Sequence, residues 1–305
     1  MRIATPILFT SILGLAVAAP AATIHVPAEH VSIQAGVSAA QAGDTVVVAP
    51  GRYMEAIRMK PGVRLVSAAG PDSTVIKGAD LGEDALSDRV LEIMEGDRST
   101  VVEGFAFERG EIAGSAIYVE NASPTIRGNV IKDFGWGINL RNSENALIEH
   151  NVIEECRTFG IMAYASSPQI WNNELSNNKP RAIAISGKES QPVIGGSEQH
   201  TNRIFANVLA IVNDSRNDID ATWNDWGWEV TAEMEASPYP ADISVITDGN
   251  DEGKTRLGRG TVDYRHWISA SSFTPDEPRR PRLWWAAPLA VILVSGYLMS
   301  VRKRG

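Results

Sequence analysis

Aromatic, cationic and amide side chains recur between residues 118 and 181 of this 305-residue chain. Aromatic rings stack on the faces of sugar rings, and guanidinium groups bind carboxylates through two parallel hydrogen bonds. Together these residue types predict the binding of an acidic polysaccharide. The candidate ligand-binding residues are Tyr118, Trp136, Asn139, Arg141, Arg157, Phe159, Tyr164, Lys179 and Arg181. The alternative interpretation is that they form the solvated face of a repetitive protein.

Three asparagines at a fixed interval indicate what positions these side chains. Asn129, Asn151 and Asn173 lie 22 residues apart, and each opens an Asn-x-aliphatic triplet. Aliphatic columns keep the same period, which is typical of a stack in which each unit buries its apolar face on its neighbours. We expect these asparagines at a bend, where an Asn tolerates left-handed backbone angles and its amide can bond the copy in the next coil. Ordinary turn asparagines without a ladder are the alternative.

Each regular coil is predicted to contain three strands. In one coil these are Gly137 to Arg141, Ala146 to Glu149 and Val152 to Glu154. Alternation with a period of two places every second side chain in the interior. The predicted core residues of this coil and the next are Ile138, Leu140, Ile148, Ile153, Ile161, Ala163, Ile170 and Leu175.

The N-terminal motif makes the fold more specific. Ser32-Ile-Gln-Ala, followed by Ala42-Gly-Asp-Thr-Val-Val-Val-Ala-Pro-Gly-Arg-Tyr53, resembles the opening of right-handed parallel β-helix proteins of the pectin-lyase-like superfamily. The resemblance implies an all-β fold: a single-stranded right-handed parallel β-helix with three strands and about 22 residues per coil. It also implies an N-terminal capping helix, which covers the end of the stack. The β-helix is expected over residues 22–213. Residues 214–270 resemble the closing segment of such proteins, with Trp-Gly and Val-Asp-Tyr-x-x-Trp elements.

In enzymes of this superfamily the substrate lies along the outward face of the first strand and the turn that feeds it. The resemblance thus implies a groove formed by the candidate residues named above. A calcium-dependent lyase of this kind would carry several aspartates there beside a basic residue, and a hydrolase would carry aspartates on neighbouring coils. The matching positions instead hold Asn139, Arg141, Met162 and Tyr164, a departure that favours binding over catalysis.

Three functions remain open: a carbohydrate-binding or surface recognition module, a polysaccharide lyase or hydrolase acting on acidic glycans, and a structural surface protein. If the chain is an enzyme, the candidate bases are Arg157 and Arg181. The candidate carboxylates are Asp133, Glu154 and Glu155.

The two ends of the chain carry targeting signals. Arg2, the apolar run from Ile7 to Ala18 and the small residues near Ala21 predict a secretory signal peptide over residues 1–21. Residues 283–301 are uncharged and begin with two tryptophans after the leading leucine, which predicts a transmembrane helix or a sorting signal. A linker over residues 271–282 precedes this stretch, and a basic tail over residues 302–305 follows it. We therefore expect a periplasmic or cell-surface protein, exported across the cytoplasmic membrane and anchored by its C-terminal helix.

Net charge limits the partners of the exported part. Residues 23–275 contain 21 of the 28 Lys and Arg residues and 35 of the 37 Asp and Glu residues, a net charge of −14. This balance argues against nucleic acid as a partner, although a local cationic groove remains compatible with it. We expect a monomer.

Cofactor signals are weak in the sequence. Cys156 is the only cysteine, so no intramolecular disulfide forms, and no catalytic-thiol signature surrounds it. The five histidines lack metal-ligand spacing. Asp248 to Gly253 imitates the first half of a calcium loop, but the twelfth position is Arg259. We expect no metal or other cofactor, with calcium as the lesser alternative.

Overall fold

The computed structural model describes residues 20–79, 88–110, 114–237, 239–251 and 258–268. Three parallel sheets run the length of the molecule, and each full coil contributes one strand to each sheet in turn. This arrangement confirms the predicted all-β parallel β-helix with three strands per coil. We name the sheets by their number of strands.

The strands of the three sheets follow one another along the chain. The ten-stranded sheet contains Thr23–Val26, Thr45–Val48, Arg64–Ser67, Val101–Glu103, Thr125–Arg127, Leu147–Glu149, Gln169–Trp171, Val193–Ile194, Ile219–Asp220 and Val262–Asp263. The eight-stranded sheet contains Ile57–Arg58, Arg89–Ile93, Ser115–Glu120, Trp136–Arg141, Phe159–Tyr164, Arg181–Ser186, Leu209–Asn213 and Ile246–Thr247. The seven-stranded sheet contains Gly51–Met54, Thr74–Lys77, Ala106–Glu108, Val130–Lys132, Val152–Glu154, Glu174–Ser176 and Arg203–Phe205.

The core is built from columns of aliphatic side chains. Each strand of a sheet forms one rung of the stack and contributes one side chain to each column. Ile138 and Leu140 point inward and are fully buried, so Asn139 and Arg141 lie on the outer face of the same strand. Ile138 pairs with Ile117 on one side and with Ile161 on the other, which keeps like residues in register. The eight predicted core residues are all fully buried. Because successive rungs present the same side-chain type, the apolar interior is continuous along the stack.

A ladder of buried asparagines runs along the bend between the ten-stranded and seven-stranded sheets. Asn129 Nδ2 donates to Asn151 Oδ1 at 3.1 Å, and Asn151 Nδ2 donates to Asn173 Oδ1 at 3.0 Å. The ladder continues through Asn202 and Asn224, with links of 3.1 and 3.0 Å. Each amide also donates to a backbone carbonyl of the preceding coil. Every rung therefore satisfies a buried donor and acceptor of its neighbours.

The left-handed backbone position lies one residue before the ladder, not at the asparagines themselves. Gly128, His150 and Asn172 have φ values of 63°, 56° and 54°. The expectation that the ladder residues themselves adopt left-handed angles was wrong. The turn bends at the preceding residue, which leaves each ladder asparagine free to aim its amide along the stack.

A short helix closes the N-terminal end. Helix Ile33–Ala39 begins after Ser32, whose side chain accepts a hydrogen bond from the Ala35 N–H at 3.1 Å. Ile33 and Val37 are fully buried against the first coil. The predicted capping helix is confirmed, and it ends at Ala39. It covers apolar core that the first coil would otherwise expose.

The C-terminal coils depart from the 22-residue period. The interval from Asn173 to Asn202 is 29 residues, because an insertion with the 3₁₀ turn Glu198–His200 lengthens this coil. The predicted closing segment, residues 214–270, adds strands to two sheets and contributes helix Gly227–Ala236. Trp226 and Tyr264 are almost fully buried there. This segment both extends the last coils and covers them.

The predicted signal peptide, linker, membrane segment and basic tail lie outside the described residues, except for the last two residues of the signal. Among the helices that the structure describes, neither has the length and apolar character needed to span a bilayer.

Candidate functional site

The outward face of the eight-stranded sheet brings most of the candidate ligand-binding residues together. We call it the aromatic face. Its first column runs through Ser115, Trp136, Phe159 and Arg181 in register. Its second column runs through Glu92, Tyr118, Asn139, Met162 and Ala184. Its third column runs through Glu120, Arg141, Tyr164 and Ser186. Adjacent rungs lie about 4.8 Å apart, so the columns form one surface.

Arginines on this face lie over aromatic rings. The Arg141 guanidinium carbon lies 5.6 Å from the Tyr164 ring centroid, and that of Arg181 lies 5.3 Å from the Phe159 centroid. Trp136 packs edge-on against Phe159 with ring centroids 6.0 Å apart. These cation–π and edge-to-face contacts hold flat rings and positive charges side by side.

Arg89 and Arg58 extend the aromatic face by two strands and were not among the candidates predicted from the sequence. Arg89 lies 3.9 Å over the Tyr118 ring and contacts Glu92, which also pairs with Arg58. Register would have identified Arg89, since it occupies the column of Ser115 and Trp136. The spacing between Arg89 and Ser115 is 26 residues, however, so the 22-residue period did not reach it.

The charge of the aromatic face is opposite to that of the protein as a whole. Its described basic residues are Arg58, Arg89, Arg141 and Arg181, and its acidic residues are Glu92 and Glu120. Glu92 is already neutralised by arginines, and Glu120 accepts a hydrogen bond from the Tyr118 hydroxyl at 2.9 Å. Burial, followed by the Glu120 hydrogen bond and charge, raises the pKa of Tyr118. The phenol therefore stays neutral at physiological pH and the face keeps a positive balance.

A separate group of candidates lines a cleft at the corner that feeds this sheet. We call it the corner cleft. It has a volume of 590 Å³ and is lined by Asp133, Glu155, Cys156, Arg157, Asn177 and Lys179. Arg181 begins the next strand and lies outside this lining. The structure thus places Arg157 and Lys179 at the corner and Arg181 on the aromatic face.

The candidate catalytic carboxylates are engaged in ion pairs. Arg157 donates two hydrogen bonds to the Asp133 carboxylate, at 2.8 and 2.9 Å. Lys132 lies 3.1 Å from both Glu154 and Glu155. These groups are exposed or half-buried, and their pairing resembles the surface ion pairs of any solenoid.

Cys156 is a structural residue at the floor of the corner cleft. Its side chain is fully buried, and burial raises the pKa of the thiol to about 12. Its backbone N–H donates to Asn178 Oδ1 at 3.0 Å, and Asn178 in turn donates to Asn207. A thiol with so high a pKa is unreactive at neutral pH.

In the segment that imitates a calcium loop, an arginine side chain lies beside the acidic residues. Asp248 and Asp251 are buried, and burial raises the pKa of both carboxyls. Arg259 Nη1 lies 3.7 Å from Asp251, and the same side chain pairs with Asp214. Residues 252–257 lie outside the described part of the chain. Within the described residues, His, Cys, Asp and Glu side chains form no group of three that could hold a metal.

Comparison with known proteins agrees with this topology. The family model described as "Right handed beta helix region" matches residues 93–223. The catalytic domain of a GH87 α-1,3-glucanase, solved with nigerose, aligns with a TM-score of 0.50 and 16% identity over 69% of this chain. The alignment spans only 40% of that domain. The A-module of the Azotobacter vinelandii mannuronan C-5 epimerase AlgE4 aligns at 17% identity with a TM-score of 0.27, over 63% of this chain and 73% of that module.

The search of curated proteins finds no match. At 16% identity the glucanase domain establishes only a shared architecture. The match over residues 93–223 and the three parallel sheets together establish the fold of the chain as a right-handed parallel β-helix.

Proposed function

We propose that this protein is an extracytoplasmic recognition module that binds an acidic polysaccharide along the aromatic face. The observation that carries the proposal is the combination of flat rings and arginines on three adjacent rungs: Trp136 with Phe159, Arg181 over Phe159, and Arg141 over Tyr164. Rings bind sugar faces and guanidinium groups bind carboxylates. Because successive coils present side chains at a regular spacing, the aromatic face can offer similar contacts to successive sugar units of a polysaccharide.

Electrostatics support an anionic ligand. The predicted exported part has a net charge of −14, yet the aromatic face carries more arginines than carboxylates. A local positive surface on an acidic protein attracts a polyanion to that surface and repels it elsewhere. The outer face of strand Trp136–Arg141 carries one ring, one amide and one guanidinium, from Trp136, Asn139 and Arg141.

The acidic residues available on and beside the aromatic face favour binding over catalysis. Asp133 is held by Arg157, and Glu154 and Glu155 share Lys132. On the aromatic face Glu92 forms ion pairs with Arg58 and Arg89. A hydrolase of this fold would carry aspartates on neighbouring coils, and the described strands of the eight-stranded sheet contain none. We therefore propose that this site recognises its ligand and does not transform it. We further propose that residues 1–21 are removed as a signal peptide and that residues 283–301 serve as a membrane tether or a sorting signal.

A glycan array probed with the full-length protein tests this function. We expect binding to uronate-containing polymers, weakening steeply between 50 and 500 mM NaCl because the charge contribution is screened. Neutral glucans should bind much more weakly. Binding to no glycan would overturn the proposal, and release of unsaturated or reducing ends from a bound uronate polymer would replace it with the enzymatic alternative.

A further inference from the structure

Asn139 is the buried polar side chain on the aromatic face that lacks hydrogen-bond partners. It is 1% exposed, and its Oδ1 and Nδ2 both have none. Buried amides are almost always paired, because a donor or acceptor removed from water without a partner destabilises the fold. An amide kept in this state therefore points to a role outside folding.

The ladder asparagines provide the contrast. Asn151 is equally buried, but its Oδ1 accepts from Asn129 and its Nδ2 donates to Asn173 and to the Ile126 carbonyl. The fold thus satisfies buried amides where they stabilise the stack. At Asn139 the register places Tyr118 on one side and Met162 on the other, and neither engages the amide.

Arg141, on the same outer face, carries a second unmet donor. Its Nε is buried and has no hydrogen-bond partner, while the guanidinium lies over the Tyr164 ring. Asn139 and Arg141 lie two residues apart on one strand, about 6.6 Å along its direction. On the aromatic face, the buried side-chain atoms without a hydrogen-bond partner thus belong to two neighbouring outward positions of one strand.

We propose that Asn139 and Arg141 form one subsite that recognises a single uronate ring, an inference that rests on the proposed function. The Asn139 amide, which both donates and accepts, binds a pair of ring hydroxyls. The Arg141 guanidinium binds the ring carboxylate. Met162 is the cover that moves when the ligand enters, because its unbranched side chain adopts many rotamers at little cost.

The stability of one variant separates a functional amide from a structural one. Asn139→Leu keeps the volume of the side chain and removes the unpaired groups, so we expect the Tm to rise by about 2–4 °C. Asn151→Leu, the matched change at a satisfied amide, should lower it. A fall in Tm for Asn139→Leu would reveal a structural role and overturn the inference.

Binding of defined oligomers by the full-length protein tests the division of roles. The probes are hexamers of galacturonate and of mannuronate, each compared with its carboxyl-reduced neutral counterpart by calorimetry. Asn139→Leu should weaken the acidic and neutral forms by the same factor, about tenfold. Arg141→Gln should weaken the acidic form roughly 10–100-fold and leave the neutral form almost unchanged. The control is Arg64→Gln, an outward arginine of the ten-stranded sheet, which should bind as the wild type does.

The outcomes distinguish this inference from the function on which it rests. If the wild type binds a uronate hexamer and Asn139→Leu binds it equally well, the subsite is wrong and the recognition function stands. A loss confined to the acidic form in Asn139→Leu would also contradict the assigned roles. If the wild type binds neither uronate hexamer, the proposed function itself fails. Should leucine not be accommodated, Asn139→Ser gives the same comparison, with weaker binding of both forms expected.

Discussion

Replacing Asn151 by leucine is expected to lower the free energy of unfolding by about 3–5 kcal/mol. The substitution removes the acceptor for the Asn129 N–H and amide, at 3.0 and 3.1 Å. It also removes the donor to Asn173 Oδ1 and to the Ile126 carbonyl, at 3.0 and 2.9 Å. Several buried groups would lose a partner in one step, and water cannot replace it. The loss should be large because the ladder is continuous, so both neighbouring coils are affected.

Urea denaturation of the full-length protein measures this effect. The matched control is Asn145→Leu, since Asn145 is exposed and lies in the same coil. Surface changes of this kind shift stability by no more than about 0.5 kcal/mol. Equal stability of the Asn151 and Asn145 variants would show that the amide ladder does not stabilise the stack.

Removing Arg141 and Tyr164 together is expected to reduce the affinity for an acidic glycan by about 100-fold or more. Loss of a charge-assisted hydrogen bond to a carboxylate costs about 1.5–3 kcal/mol, and loss of a stacking ring costs about 1 kcal/mol. The two side chains are partners, with 5.6 Å between the guanidinium carbon and the ring centroid. Tyr164 is 45% exposed, so its removal opens no cavity in the core.

Titration of the Arg141→Ala, Tyr164→Ala variant against the glycan that the wild type binds measures the loss. The control is Arg265→Ala with Tyr239→Ala, a second exposed pair in which the guanidinium lies 5.0 Å from the tyrosine ring. That pair lies in the closing segment, away from the aromatic face, and its removal should leave the affinity unchanged. Equal losses in both variants would mean that the effect is one of general charge and not of the aromatic face.

The interior of the regular coils was predictable because it depends on local periodicity. Ile138 and Leu140 alternate with Asn139 and Arg141, and that alternation alone assigns the two faces of the strand. The 22-residue interval likewise placed Asn129, Asn151 and Asn173 in one column. Both patterns are local in sequence, so no knowledge of long-range contacts was needed.

The rest depended on insertions and on side-chain geometry. Asn202 and Asn224 continue the ladder, but the insertion around Glu198–His200 breaks the period before them. Arg89 belongs to the aromatic face across an irregular coil in the same way. The missing partners of the Asn139 amide could not be predicted at all, because they depend on where neighbouring rotamers point.

A crystal structure of the protein with a bound uronate oligosaccharide would locate the ligand directly. We expect sugar rings along the outward face of the eight-stranded sheet, with one ring against Tyr164 and a carboxylate within hydrogen-bonding distance of Arg141. A sugar bound only in the corner cleft, or on one of the other two sheets, would contradict this expectation.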